Sequence, residues 1–279
     1  MIKIVVDSTA DLPPALYREF DMTVVPVLAQ FGDQTLRDDV DFTRDEFYAR
    51  LVAGPEPPKT AAPPVGAYEA AFRPLAEAGH EILSISLAGG LSSTYSAACQ
   101  GAALVENARI MCVDSMTVSM PLGFLALHAA RAIRDGATLE QAAALIERLR
   151  PQATLFVAFE TLRYLEKGGR IGRMRALLGT MLSVKPIMEV RLSEVHPVEQ
   201  VRTWKRVPPR MIELMQARGG IAELGVLYTT TPDAAAQLAD QCAAAGLLPR
   251  EQIYVQQAGG VLGTHAGPGA LGIAGLLKE

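Results

Sequence analysis

Three small polar residues on separated turns of this chain could do chemistry together: Thr60, Ser92 and His265. Ser92 opens the run Ser92-Ser93-Thr94, which follows Gly89-Gly90 and precedes Tyr95, Ala98, Cys99 and Ala102 at helical spacing. A strand that turns through glycine into a helix gathers backbone N–H groups and the positive end of the helix dipole at one point. That point favours a carboxylate or a phosphate. Taken alone, a plain helix cap accounts for Ser92 better, since serine is preferred there. Thr60 follows Lys59 inside residues 54–64, a loop whose five prolines can hold a hydroxyl in place. His265 stands in Gly263-Thr264-His265-Ala266-Gly267-Pro268-Gly269. A Gly/Pro-rich turn has few side chains to bury a histidine, so contact with a ligand is expected. Arg170 and Arg173 flank Gly172 and could bracket an anion, because guanidinium binds carboxylate or phosphate bidentately.

The same residues admit two other readings. One is a serine hydrolase acting on lipid esters, with Ser92 as nucleophile, His265 as base and Asp7 or Asp114 as orienter. The other is a carrier or regulator that takes a different anionic ligand. Several common chemistries are absent. Residues 267–272 match G-x-G-x-x-G, but the match contains proline, lies near the chain end and leaves no room for a strand carrying a ribose-binding acid. There is no Walker-type phosphate loop and no HExxH, and residues 90–94 make only half of a nucleophile elbow. Cys99, Cys112 and Cys242 form no CxxC pair and read as buried thiols in a reducing compartment. No metal and no cofactor are expected.

Charge and hydropathy narrow the class. The net charge of −4 argues against nucleic-acid binding. The 49% hydrophobic share is ample for a core, yet no uninterrupted apolar run would cross a bilayer. The chain enters an apolar strand at once, without a basic leader, so a cytoplasmic location is expected. Residues 163–218 hold twelve Lys or Arg and five acids, a net +7 against −11 elsewhere. That window is either a solvated face or a docking surface for an acidic partner or an anionic membrane.

Elements must position these groups. Residues 2–6, 24–27, 82–87 and 110–113 read as strands, with helices expected over 66–79, 121–135 and 138–150. Thr43 with Glu46, and Thr138 with Gln141, are spaced as capping boxes. This alternation implies βαβ units and a parallel sheet, and ligands of such sheets sit beyond the strands' carboxyl ends, where Ser8 and Thr9 fall. The pattern changes near Pro151. Strands are expected at 155–159, 223–228 and 253–256, and helices at 161–167, 209–217 and 232–246. A helix running into a buried segment is expected over 177–187, and paired strands around His196-Pro197. The fold class is therefore α/β in two domains. The N-terminal parallel-sheet α/β domain covers 1–151, and the C-terminal mixed α+β domain covers 152–279.

The combination resembles the DegV family of bacterial fatty-acid-binding proteins. The resemblance rests on Val6-Asp7-Ser8-Thr9-Ala10-Asp11-Leu12, Lys59-Thr60, Gly90-Leu91-Ser92-Ser93-Thr94-Tyr95 and Val113-Asp114-Ser115. It continues through residues 160–172, Lys185-Pro186-Ile187 and residues 263–272, nearly the whole chain. It implies one long-chain fatty acid buried in a tunnel between the domains, its carboxylate held by Thr60, Ser92 and His265, with Ser93 as a further donor. It implies a separate kinase subunit that converts the bound carboxylate to an acyl phosphate, as a step of phospholipid metabolism. Arg170 would then be the catalytic residue at the head group, and this chain the lipid-presenting subunit of a fatty acid kinase rather than a stand-alone enzyme. Arg173 and Arg202 would touch the kinase or, transiently, an anionic membrane.

The chain departs from the family pattern where Thr60-Ala61-Ala62-Pro63-Pro64 replaces a hydroxyl-rich run. Ala88 and Gly89 stand for two serines, and Ser93 for a glycine. The physics suits the resemblance. Burial is worth roughly 0.8 kcal/mol per methylene, so a sixteen-carbon tail gains on the order of 10 kcal/mol. A buried carboxylate costs several kcal/mol unless hydrogen-bonded, which hydroxyls, turn N–H groups and a histidine provide.

Overall fold

The computed structural model describes residues 1–172 and 184–279. The chain opens with β1 (Ile2–Asp7), α1 (Pro14–Glu19) and β2 (Thr23–Val25), and β1 and β2 pair in parallel. β3 (Leu28–Phe31) and β4 (Gln34–Arg37) follow, then α2 (Arg44–Ala53) and β5 (Lys59–Ala61). These three strands make a small antiparallel sheet in the order β4-β3-β5. α3 (Val65–Glu77), β6 (Glu81–Ser86), α4 (Thr94–Ala103) and β7 (Ile110–Asp114) complete the parallel sheet, ordered β2-β1-β6-β7. Both expected capping boxes are formed, at Thr43 on α2 and at Thr138 on α6 (Leu139–Leu149).

The second region is a mixed sheet. It uses β8 (Ala153–Ala158), β9 (Lys185–Arg191), β10 (Glu194–Val201), β11 (Ile221–Tyr228), β12 (Ile253–Gln257) and β13 (Leu271–Leu277). Among the described residues their order is β10-β9-β8-β13-β11-β12, with only β11 and β12 parallel. Helices α7 (Arg163–Lys167), α8 (Val207–Gln216), α9 (Pro232–Ala244) and α10 (Gly260–Ala266) connect them. The fold is thus a parallel-sheet α/β region followed by a mixed α+β region.

α5 (Met120–Arg134) joins the two regions. It is apolar around its circumference, with ten of its residues buried from Met120 to Ala130. It packs on β1 and β6 on one side and on β8, β11 and β13 on the other. The fit is close at both faces. A Cβ at Gly123 would collide with Ala10 and Leu12, and one at Gly225 with the Met120 sulfur. One core therefore runs from Ile4, Leu83 and Ile85 through α5 to Leu155, Val190 and Ala274.

Several expectations need correction. Residues 59–61 are a strand inside the proline loop, held by pairing with β3. The hairpin after β9 turns at Leu192-Ser193, both with positive φ, and Pro197 marks a bulge rather than the turn. Residues 185–187 are strand, while 177–183 and Arg173 lie outside the described residues. Residues 271–277, read only for their glycines, form the central strand β13. Among the described residues no helix is long and apolar enough to cross a membrane, and no His, Cys, Asp or Glu cluster could hold a metal.

Candidate functional site

A cavity of about 350 Å³ lies beyond the carboxyl ends of β1 and β6. Strand order reverses between these two strands, the place where open α/β sheets bind ligands. Leu87, Leu91 and Val118 wall it from the parallel-sheet side, and Leu155, Val157 and Leu227 from the mixed sheet. Three hydroxyls along the wall are already engaged. Thr9 Oγ1 donates to Asp7 at 2.5 Å, Ser119 Oγ to Asp11 at 2.6 Å, and Thr229 Oγ1 accepts from Ala270 N at 2.9 Å. They behave as filled sites, so most of the wall is effectively apolar.

Thr60, Ser92, Ser93, Arg170 and His265 all line this cavity. Thr60 is placed by the register of β5, opposite Ala29 of β3. His265 comes from α10, a helix and not the open turn expected from its glycines. His265 Nε2 lies 3.0 Å from Thr60 Oγ1. Its Nδ1 is buried without a partner among the described residues, against Gly168 at the end of α7, where a Cβ would collide with the ring. A buried N–H with no acceptor costs more than a bare lone pair, so the proton belongs on Nε2. Nε2–H then donates to Thr60 Oγ1, leaving the Thr60 hydroxyl proton free to donate into the cavity. Burial, with Arg170 adding to it, pushes the His265 imidazole down to about 4, so the ring is a neutral donor.

Ser92 is not the helix cap. The cap position of α4 is Ser93, whose side chain makes no capping bond. Ser92 Oγ lies 2.8 Å from Thr94 Oγ1 and accepts from Thr94 N at 3.3 Å. With Thr94 donating both bonds, the Ser92 hydroxyl proton is available to a ligand. Ser93 is exposed at the cavity rim. Arg170, also exposed, donates from Nη1 to the Gly168 carbonyl at 2.7 Å and from Nε to the Leu91 carbonyl at 3.3 Å. It thereby spans the mouth from α7 to the Ser92 turn. Gly168 was missed from the sequence, where it only follows the helix expected at 161–167.

The triad of Ser92, His265 and Asp7 or Asp114 is not assembled. His265 bonds Thr60, not Ser92. Asp7 takes the N–H groups of Thr9 and Leu87, and Asp114 those of Gly89 and Met116. Each carboxylate shapes a turn, and neither orients the histidine.

What the fold and cavity define is a largely apolar pocket with a polar constellation in a two-region α/β frame, and known proteins share the fold. A family model described as an uncharacterised protein of the DegV family matches residues 1–278. Protein DegV of Bacillus subtilis is 30% identical, with 99% of each chain covered. A fatty-acid-binding DegV family protein from Thermus thermophilus superposes with a TM-score of 0.91 at 30% identity, again over 99% of each chain. A stearic-acid-binding protein from Eubacterium ventriosum gives 0.90 at 27% identity, over 99% of this chain and 98% of its own. The chain belongs to the DegV family.

Proposed function

We propose that this chain binds one long-chain fatty acid, tail in the apolar cavity and carboxylate at its polar end, and presents the head group to a separate kinase. The observation that carries the reading is the convergence of Thr60, Ser92 and His265 on one largely apolar cavity. The cavity's volume falls in the range of small-ligand sites, roughly 300–1,000 Å³. Solved relatives described as fatty-acid-binding support the tail's chemistry. The hydroxyl protons of Thr60 and Ser92 suit an anion, and a neutral histidine behind Thr60 polarises that hydroxyl without adding a buried charge.

The sequence has no phosphate-binding loop, so a phosphoryl donor would be held by the partner. An acyl phosphate carries more negative charge than a carboxylate, and Arg170 at the mouth is the cation placed to meet it. Exposed Arg202 and its basic neighbours suit the kinase or, transiently, an anionic membrane. Division into domains 1–151 and 152–279, and a cytoplasmic location, belong to the same proposal. Protein purified gently from a bacterial host should carry one fatty acid, read as an added mass in native mass spectra and identified in extracts. Lipid-free spectra, with no uptake of added fatty acid, would overturn the reading.

A further inference from the structure

Three consecutive backbone groups just before α10 are held by side chains of the parallel-sheet region. Arg44 donates from Nη1 to the Gln257 carbonyl. Tyr48 Oη donates to the Ala258 carbonyl at 2.9 Å. Asp11 Oδ1 accepts from Gly259 N at 2.8 Å. The three are joined further. Arg44 Nη1 lies 3.1 Å from Asp11 Oδ1, and Arg44 Nη2 pairs with Asp39 at 2.6 Å. Asp11 is fully buried, and its second oxygen accepts from Ser119 Oγ at the cavity wall. Ser119 sits at φ 62°, ψ −150°, a conformation nearly reserved for glycine, so this bond holds a strained residue.

α10 needs such support. It is a seven-residue helix, Gly-Val-Leu-Gly-Thr-His-Ala, preceded by another glycine. A helix this short and glycine-rich has no stability of its own. Its glycines are docking points: a Cβ at Gly260 would meet the Phe47 ring at 2.7 Å, and one at Gly263 would meet Tyr48 Oη at 2.5 Å. The helix thus rides directly on α2. His265 lies five residues beyond Gly260, roughly 7–8 Å along the axis at 1.5 Å per residue, so a tilt of about 10° moves its ring by roughly 1 Å. That is enough to break a bond such as Nε2 to Thr60.

Resting on the fatty-acid reading, we infer that Asp11, Arg44 and Tyr48 are positioning residues: they fix the start of α10 and thereby hold His265 against Thr60 at the head-group end. None of the three lines the cavity, so each acts through α10. The clamp gives the site its preference for an acid over an uncharged head group of the same tail.

The test uses delipidated full-length protein and the variants Tyr48→Phe and Asp11→Asn. Palmitic acid and hexadecanol are titrated into each, melting temperatures are recorded, and ¹⁵N-histidine spectra follow the His265 ring, assigned with His265→Gln. Both variants should lose about three- to ten-fold of the acid-over-alcohol preference, the weight of one hydrogen bond, and the His265 ring signals should shift. A lowered melting temperature with unchanged preference and unchanged ring signals would make the clamp merely structural and overturn the inference. Tyr48→Phe keeps the ring against Gly263 and decides the matter if Asp11→Asn does not fold. If the parent shows no preference for the acid, the fatty-acid reading fails by itself, and the ring signals still decide whether the clamp positions His265.

Discussion

His265 owes its chemistry to its neighbours more than any other residue of the site does. A free imidazole would be half charged near pH 6.5, but burial and Arg170 bring this one down to about 4. Between those values the folded chain binds fewer protons at His265 than the unfolded chain, so this residue's contribution to stability rises with pH there and is lost on acidification. The ring signals of His265 should stay constant from about pH 8 down to about pH 5, where an ordinary histidine has already titrated. His265→Gln should remove that part of the acid sensitivity in pH-dependent melts. A midpoint near 6.5 for the His265 ring would show that it is solvated and charged at the site. The candidate site's hydroxyls and histidine were legible in the sequence because each stands two residues from a glycine or proline. The buried side of the ring was not. Nothing in the pattern of Gly168-Gly169 tells that the first glycine leaves room for an imidazole from the far end of the chain.

At the scale of elements, the strand–turn–helix through residues 81–103 was legible because its apolar period changes at the glycines. α10 and β5 were not. Three glycines within five residues contradict a helix locally, and tertiary packing, on Phe42, Phe47 and Tyr48 among others, makes one of them. β5 is three residues between prolines and exists through its pairing with β3. β13 was obscured because Gly272 closes the G-x-G-x-x-G match of residues 267–272, whereas the missing side chains of Gly272 and Gly275 admit the Phe156 carbonyl and the Met215 sulfur. α7 offers a clean test of how elements meet at the site. Gly168 has φ −74°, which alanine adopts without strain, so Gly168→Ala should leave the fold intact and even restrict the unfolded chain. The added methyl must instead displace His265. Fatty-acid affinity should fall by about two- to ten-fold, the weight of the Thr60 bond, in titrations of delipidated protein. Unchanged affinity would mean that the ring position does not matter to binding.

For the whole molecule, the sequence marked a change of pattern near Pro151 correctly, since parallel pairing gives way there to a mixed sheet. It did not reveal that both regions share one core, because α5 looks from its composition like any buried helix. With α5 packed on both sheets, heat should unfold the chain in a single transition, seen as equal calorimetric and van't Hoff enthalpies. Stripping the fatty acid should lower the melting temperature of that one transition, since a ligand of the folded state stabilises it by mass action. Two resolved transitions in the delipidated protein would show that the regions unfold separately.

The tight seat of α5 also bears on how cargo is exchanged. Gly123 against Ala10 and Met120 against Gly225 pack α5 closely on both sheets, and that packing opposes a clamshell opening. On the proposed reading a tail would thread in and out lengthwise through the rim, where exposed Arg170 bridges α7 and the Ser92 turn. The rate of exchange is then set by rotamer and turn motions at that rim, on the nanosecond-to-microsecond scale of surface loops, and by the cost of wetting the tail as it leaves. Longer tails should therefore dwell longer, each methylene slowing escape, while the frame around them stays still.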